Sequence, residues 1–397
     1  MKRWICAQIG AREYYAVPRM LAKRGMLNSL YTDIWAPWAR IVPLPGPLAK
    51  LRSRQCAELD AESVHAQNIR SLLRRFVPQR ERCKTWIAQG RAFAEWVVSR
   101  LKLSGLQPDG ICFGYTCASL ELLLFARQRG AGAVHGQIDP GPAWYRVRKD
   151  ESLRWPGAEL DVEMPASEFL DRLAGEWDTA HRIVVNSKYS RECLVSEGVP
   201  EAKIDVVPLC YEPDVADSSG RRKQDLAPSF TVLYVGSVNL TKGFPYFGEA
   251  ASLLGRGIRF KAVGSVQLTP GFLRKNRHWP VELLGHLDRE AVAKEISRAQ
   301  VLVFPSLSDG FGIVQLEAQS QGVPVVATAN CGDVVIDGES GYIVPPRSSQ
   351  SIAECVQRLV DDRDLYTAMA AHSLSNSRRF TMEAVGQIFM TAFADYL

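Results

Sequence analysis

The stretch 304–326, FPSLSDGFGIVQLEAQSQGVPVV, decides the fold class. It begins on one apolar run, closes on another, and holds between them a loop and a short helical pattern carrying one acid. A buried strand, a loop, a helix and a second buried strand in so few residues make the repeating unit of a parallel sheet covered by helices. Ligands of such sheets sit beyond the carboxyl ends of the strands, where strands pass into helices. Gly310 and Gly312 flank Phe311 there and let the backbone approach a ligand or adopt positive φ. A helix starting near Gly312 would offer unbonded N–H groups and a positive dipole end, which suits an anion. Asp309 lies just before that helix and Glu317 about one and a half turns into it. Held apart in this way, the two acids do not form an adjacent acid/base pair. They suit two hydroxyl-bearing parts of one extended ligand with phosphates between them, the layout of a nucleotide sugar. The alternative is an ordinary βα turn with surface acids.

Outward from this stretch the same alternation fills the chain. RWICAQIG, DGICFG, AGAVHGQI and RIVVNS mark strands in the first half; FTVLYVGS, IRFKAVGS, VELLGH, VLVFPS, VPVVAT and GYIVPP mark strands in the second. Between the halves, DVADSSGRRKQDLAPS is polar and aperiodic, which predicts a linker. The expectation is two successive α/β units with motifs in the strand-end loops. One such loop, YVGSVNLTKGF, places Lys242 just before Gly243, where an ammonium can meet a phosphate as a point charge. Loop lysines are common, so this one carries little by itself.

Composition agrees with a globular chain: 397 residues, 46% hydrophobic and 23% charged. The nine cysteines are scattered with no CxxC pair, which points to a reducing cytoplasm and away from a disulfide framework or structural zinc. The first residues lack signal-peptide architecture. The most apolar stretch, 110–126, is short and holds Glu121, so it is expected as a strand and a helix and not a membrane span. Charge is uneven. Residues 1–104 carry 19 Lys+Arg against 7 Asp+Glu, although the whole chain is only +5. The basic excess over 40–102 is either a solvated helix face or a surface for anionic lipid headgroups or an acidic acceptor. No nucleic-acid-binding module accompanies it.

The motifs together resemble the retaining GT-B glycosyltransferases of the family 4 type, glycosyl transferases group 1. The family signature is an acid, seven residues, then Glu; here it is DGFGIVQLE followed by GVPVVAT. RIVVNSKYSRECLVSEGVPEAKIDVVP, LYVGSVNLTKG, LLGHLDREAVAKEISRAQVLVFPS and DVVIDGESGYIVPP resemble other family segments in the same order. The resemblance implies two Rossmann-like domains with a deep cleft: an acceptor-side domain over 1–214 and a donor domain over 215–379, with a final helix at about 380–397 packing back toward the first.

The resemblance also implies roles. Lys242 would neutralise the donor diphosphate, and Asp309 would bind donor-sugar hydroxyls. The backbone of Gly310, Phe311, Gly312, Ile313 and Val314 would hold sugar and phosphates, and Glu317 the ribose. His286 and Leu287 would meet the base. Ser237 stands where the family often has Arg, and Asp309 where it usually has Glu. In the first domain, IGAREYYAVPRML resembles the family's glycine loop, with Gly10 approaching the donor and Arg12, Glu13 and Tyr14 as acceptor-side candidates. Those three are equally placed to cap the next helix. His135, at a strand end, resembles the family's cleft histidine and is a catalytic candidate with Lys242 and Asp309; Asp139 is its acceptor-side neighbour.

No cofactor or metal is expected beyond a UDP- or GDP-sugar substrate. The lone DxD match, Asp362-Arg363-Asp364, sits in a charged helical stretch. The acceptor is expected to be carbohydrate or lipid-linked, and the site cytoplasmic, at times peripheral to the inner membrane face. Open alternatives are another GT-B activity, such as an epimerase or phosphorylase, and a non-catalytic nucleotide-sugar binder. A dinucleotide oxidoreductase is disfavoured because no GxGxxG follows the first strand.

Overall fold

The structure, a computed structural model, describes residues 3–40, 42, 51–68, 82–160, 162, 164–212, 230–255 and 257–394. The expected linker with its boundary at 214/215 and much of the basic stretch, 69–81, lie outside the described residues.

Two parallel sheets form the centre of the molecule. The first holds β1 (Trp4–Gln8), β2 (Leu27–Thr32), β3 (Val64–Ala66), β4 (Ile111–Tyr115), β5 (Gly132–Gly136), β6 (Arg182–Val185) and β7 (Ile204–Val206), in the order β3-β2-β1-β4-β5-β6-β7. The second holds β8 (Phe230–Val235), β9 (Ile258–Val263), β10 (Val281–Gly285), β11 (Val301–Phe304), β12 (Val325–Thr328) and β13 (Gly341–Val344), in the order β10-β9-β8-β11-β12-β13. The chain has the GT-B fold. Its central strands β1, β4, β11 and β12 are buried along their whole length, as continuous apolar runs covered on both faces must be. The sequence patterns missed β2, β3 and β7. LNSLYT in β2 mixes polar residues into the run, and the other two have three residues each, too short for a period.

The quoted stretch forms the expected unit: Leu302, Val303 and Phe304 of β11 pair with Val325, Val326 and Ala327 of β12. The helix between them spans only Val314–Gln319. So short a helix has a small dipole, and any anion there would be held by individual amides.

At the other end of the chain, the helix Met382–Ala392 lies on the first domain. The Trp4 ring is 5.4 Å from Phe389 and 5.0 Å from Phe393, in a cluster with Leu21, Leu30 and Val134. Burying such side chains contributes about 1.5–3 kcal/mol each. Among the described residues no helix is long and apolar enough to cross a membrane.

One segment departs from a division at residue 214. The helix Pro142–Arg154 starts on the first domain, with Tyr145 against Phe169. The residues that follow it pack into the second domain. The Trp155 ring lies edge-on to Tyr246, Phe272 and Trp279, and Ala158 is fully buried in the cluster of Val232, Phe247 and Val301. Sequence proximity assigns this strap to one domain; apolar packing assigns its tip to the other.

Candidate functional site

The turn after β8 carries Lys242. Asn239 Oδ1 accepts from the Lys242 N–H at 2.9 Å, while Asn239 Nδ2 donates to Gln267 Oε1 at 2.9 Å. An Asx turn of this kind replaces backbone partners and fixes where the lysine leaves the chain. Gly243, at φ 71°, begins the helix Phe244–Leu253, and a Cβ there would collide with the Pro305 carbonyl oxygen. The lysine is thereby delivered to the turn after β11, where its ammonium forms an ion pair with Asp309 and lies 5.5 Å from the centre of the Phe304 ring.

The Asp309 loop is tied down by its backbone: its N–H donates to the Asn330 carbonyl at 3.0 Å. Gly312, at φ 79°, leaves no room for a side chain against Phe304. Phe311 is buried with Tyr211, Leu316, Val334 and Phe380, and Val314 packs with Leu233 and Val325. The side chains of 311 and 314 therefore serve the core. The first bonded amides of the short helix belong to Gln315, Leu316 and Glu317, which donate to the Gly312 and Ile313 carbonyls. The amides ahead of them are the helix-start donors expected to meet an anion. Glu317 is partly buried within the helix. Gly310 has a use the sequence did not disclose: a Cβ there would collide with the Ile138 carbonyl oxygen of the first domain. Its bareness permits contact between the domains.

Ser237 has its Oγ 3.4 Å from Ser265 Oγ, and its carbonyl accepts from Tyr234 at 2.6 Å. Two VGS endings, on β8 and β9, thus lie side by side, and a Cβ on Gly264 would strike the Gly236 carbonyl oxygen. His286 is exposed, and Leu287 is partly buried against the cluster of Leu233 and Val263.

Across the domain boundary lie the loops after β1 and β5. Gly10, at φ 89°, donates its N–H to Asp33 at 2.8 Å, and Asp33 also pairs with Arg54 at 3.1 Å. Glu13, Tyr14 and Tyr15 follow with φ of 51°, 51° and 61°. Three consecutive left-handed residues with side chains cost roughly 1–2 kcal/mol each. Glu13 lines a small internal cavity with Phe113, Gln137 and Cys210. Tyr115 donates to Glu13 at 3.3 Å. Burial pushes the Glu13 carboxyl up to about 7, offset in part by the Arg12 guanidinium and the Tyr115 hydroxyl. Asp139 is also raised by burial, against hydrogen bonds from the Gly141 N–H and Gln137 and the nearby charge of Arg12. Arg12, Glu13 and Asp139 therefore form one electrostatic group. Tyr14 is half exposed and reaches the other domain, where the Arg289 guanidinium lies 5.0 Å from its ring centre.

His135 requires a correction. It is fully buried inside the sheet. Gln137 Oε1 accepts from His135 Nε2 at 3.1 Å and from Trp177 at 2.9 Å. With the proton on Nε2, Nδ1 accepts from Ser119 Oγ at 3.0 Å. Both nitrogens are engaged and neither faces a ligand. A strand alternates its side chains, and in β5 this one points into the layer beneath.

Asp362, the first acid of the DxD match, caps the helix Arg363–Ser377 by accepting from the Leu365 N–H at 2.9 Å. Among the described residues no group of three or more His, Cys, Asp and Glu side chains is placed to hold a metal ion.

Residues 229–362 match the family model described as glycosyl transferases group 1. The match falls on the second domain. The group 1 match covers β8 to the end of the helix Ser349–Asp361, the part that carries Lys242, Asp309 and Glu317. Among curated proteins, the chain is 30% identical over 165 residues to an alpha-D-kanosaminyltransferase of Streptomyces kanamyceticus, covering 39% of this chain and 43% of that one. It is 30% identical over 241 residues to a D-inositol 3-phosphate glycosyltransferase of Paenarthrobacter aurescens, covering 55% of this chain and 58% of that one. The chain thus spans about half the length of these curated relatives. Among solved structures, it aligns over the full length of both chains with Anabaena HepE in complex with UDP, at TM-score 0.64 and 15% identity. The same holds for sucrose-phosphate synthase from Thermosynechococcus elongatus, at TM-score 0.70 and 19% identity. At such identities the likeness establishes the fold.

Proposed function

We propose that the chain is a retaining glycosyltransferase that moves a sugar from a UDP- or GDP-sugar to a hydroxyl of a carbohydrate or lipid-linked acceptor without a metal ion. The observation that carries this reading is the meeting of Lys242 and Asp309 at the carboxyl edge of the second sheet, beside the loops of the first domain. In the absence of donor the two neutralise each other. A donor would exchange that pair: its diphosphate takes the ammonium, and its sugar hydroxyls take the carboxylate. As the glycosidic bond breaks, negative charge grows on the leaving diphosphate, and Lys242 with the amides ahead of Gln315 stabilises it in place of a metal. Glu317 would receive the ribose hydroxyls and Leu287 the base. Arg12, Glu13 and Asp139 lie on the acceptor side. Retention is what the resemblance of DGFGIVQLE to the retaining family's signature implies. The named activities of the relatives and the UDP in the HepE structure support a nucleotide-sugar donor.

The test is thermal stabilisation of the purified protein by a panel of nucleoside diphosphates and their sugars without metal. Stabilisation by one base that is lost in Glu317→Ala is the expected result; no shift with any of them removes the donor site. The positive surplus of residues 1–104 supports a role at the cytoplasmic face of a membrane, on glycolipid or polysaccharide precursors. Equal binding to neutral and anionic vesicles at low salt would exclude that role.

A further inference from the structure

The strap that crosses between the domains reaches the phosphate turn itself. At its tip, Glu159 has a side chain only 4% exposed. Its Oε2 accepts from Arg148 Nε at 2.8 Å, and its Oε1 accepts from the Leu240 N–H at 2.7 Å. Leu240 is fully buried, so its N–H needs a partner inside the protein. Leu240 in turn accepts from the Gly243 N–H at 2.9 Å, closing the turn in which Lys242 stands. The strap is fixed by further contacts ahead of this one. Thr269 donates its N–H to Ala158 at 2.8 Å and its hydroxyl to Gly157 at 2.6 Å. Glu151, fully buried, accepts from Tyr246 at 2.7 Å and Arg347 at 2.6 Å.

We propose that Glu159 is a positioning residue for Lys242: a residue of the acceptor-side half of the chain holds the turn that presents the donor-phosphate lysine. The proposal rests on the reading of Lys242 as the phosphate contact. Under it, the donor site is complete only when the strap is seated, which couples the geometry of one domain to donor binding in the other.

Reach and charge separate this role from a bland one. Glu159→Gln keeps an oxygen at the right distance and loses the charge; Glu159→Asp keeps the charge and loses the reach. The measurement is calorimetric affinity for UDP and for uridine, or for GDP and guanosine if the panel selects guanine. It is made on wild type, on these two variants, on Glu159→Ala, on Lys242→Ala and on the double variant Glu159→Ala/Lys242→Ala. The preference for diphosphate over nucleoside isolates the phosphate contact. It should fall about tenfold in Glu159→Ala and Glu159→Asp, stay near wild type in Glu159→Gln, and fall no further in the double variant than in Lys242→Ala. A purely structural role would weaken both ligands together and leave the preference intact. If Lys242→Ala lowers the preference while Glu159→Asp and Glu159→Ala do not, the positioning role is wrong and the donor reading stands. If Lys242→Ala itself leaves the preference unchanged, the phosphate contact is misassigned and this proposal falls with it. Should Glu159→Ala fail to fold, the Asp and Gln pair decides the matter.

Discussion

The turns after β1 and β8 hold the same place in their sheets, each leaving the third strand of its order toward the opposite domain. They are built by opposite means. After β8 the positive φ values fall on Gly236 and Gly243, where no Cβ is present to resist them. After β1 glycine serves once, at Gly10, and then Glu13, Tyr14 and Tyr15 take left-handed backbone with full side chains. The turn after β8 is relaxed and carries a cation. The turn after β1 is strained and carries a carboxyl lifted toward neutrality. Strain of this kind persists only where surrounding structure enforces it, and it concentrates at binding sites. On the function proposed above, the rigid, glycine-built turn would serve the diphosphate and the strained turn the acceptor side.

Four substitutions break or sharpen that contrast, beginning with the largest effect. Gly243→Ala must push Pro305 aside and hold alanine at φ 71°. It should cost about 3 kcal/mol or more in denaturant unfolding. A loss under 1 kcal/mol would mean that the β8 turn adapts freely. Lys242→Ala should lower kcat/KM by ~10²-fold or more, the scale of one lost oxyanion donor, with little change in unfolding free energy. Kinetics near wild type would remove the lysine from the site.

The third substitution tests the buried carboxyl. Because the folded pKa of Glu13 is raised, its burial costs nothing below the ordinary carboxylate value of 4.5, where both states are protonated. The penalty grows as pH rises from there and is complete above about 7. Glu13→Gln should therefore match wild type in stability near pH 4 and exceed it by on the order of 2 kcal/mol at pH 8. A constant difference across that range would show that Glu13 is not buried in its ionised form. The smallest effect belongs to Tyr14→Gly. Relief of left-handed backbone should offset the lost contact with Arg289, leaving stability within about 0.5 kcal/mol of wild type. A loss well above 1 kcal/mol would indicate that the turn after β1 is not strained.

Much of the molecule was legible beforehand because the relevant physics is local. Long apolar runs such as Val301–Phe304 announce buried parallel strands, and the glycines at 243 and 312 mark turns that β-carbons would block. Lys242 and Asp309 were separate candidates, for phosphate and sugar; the fold brings them into one ion pair. His135 illustrates the limit. Its strand end was visible, but whether a side chain faces a cleft or the layer beneath depends on the sheet's pleat and on partners such as Ser119 and Gln137. Glu159 shows the same limit in the other direction. Nothing near it in sequence distinguishes it from a surface acid, and its partner is 81 residues away.

The sequence by itself thus determined the strands written as long apolar runs, the turns that need glycine, and the chemical types available at the carboxyl ends of the sheets. Those properties depend on neighbours a few residues apart. Tertiary structure alone decided which of those groups face one another, which are spent in the core, and which domain holds the lysine turn. Such choices turn on buried polar groups finding partners across long chain separations, and only the assembled packing selects those partners.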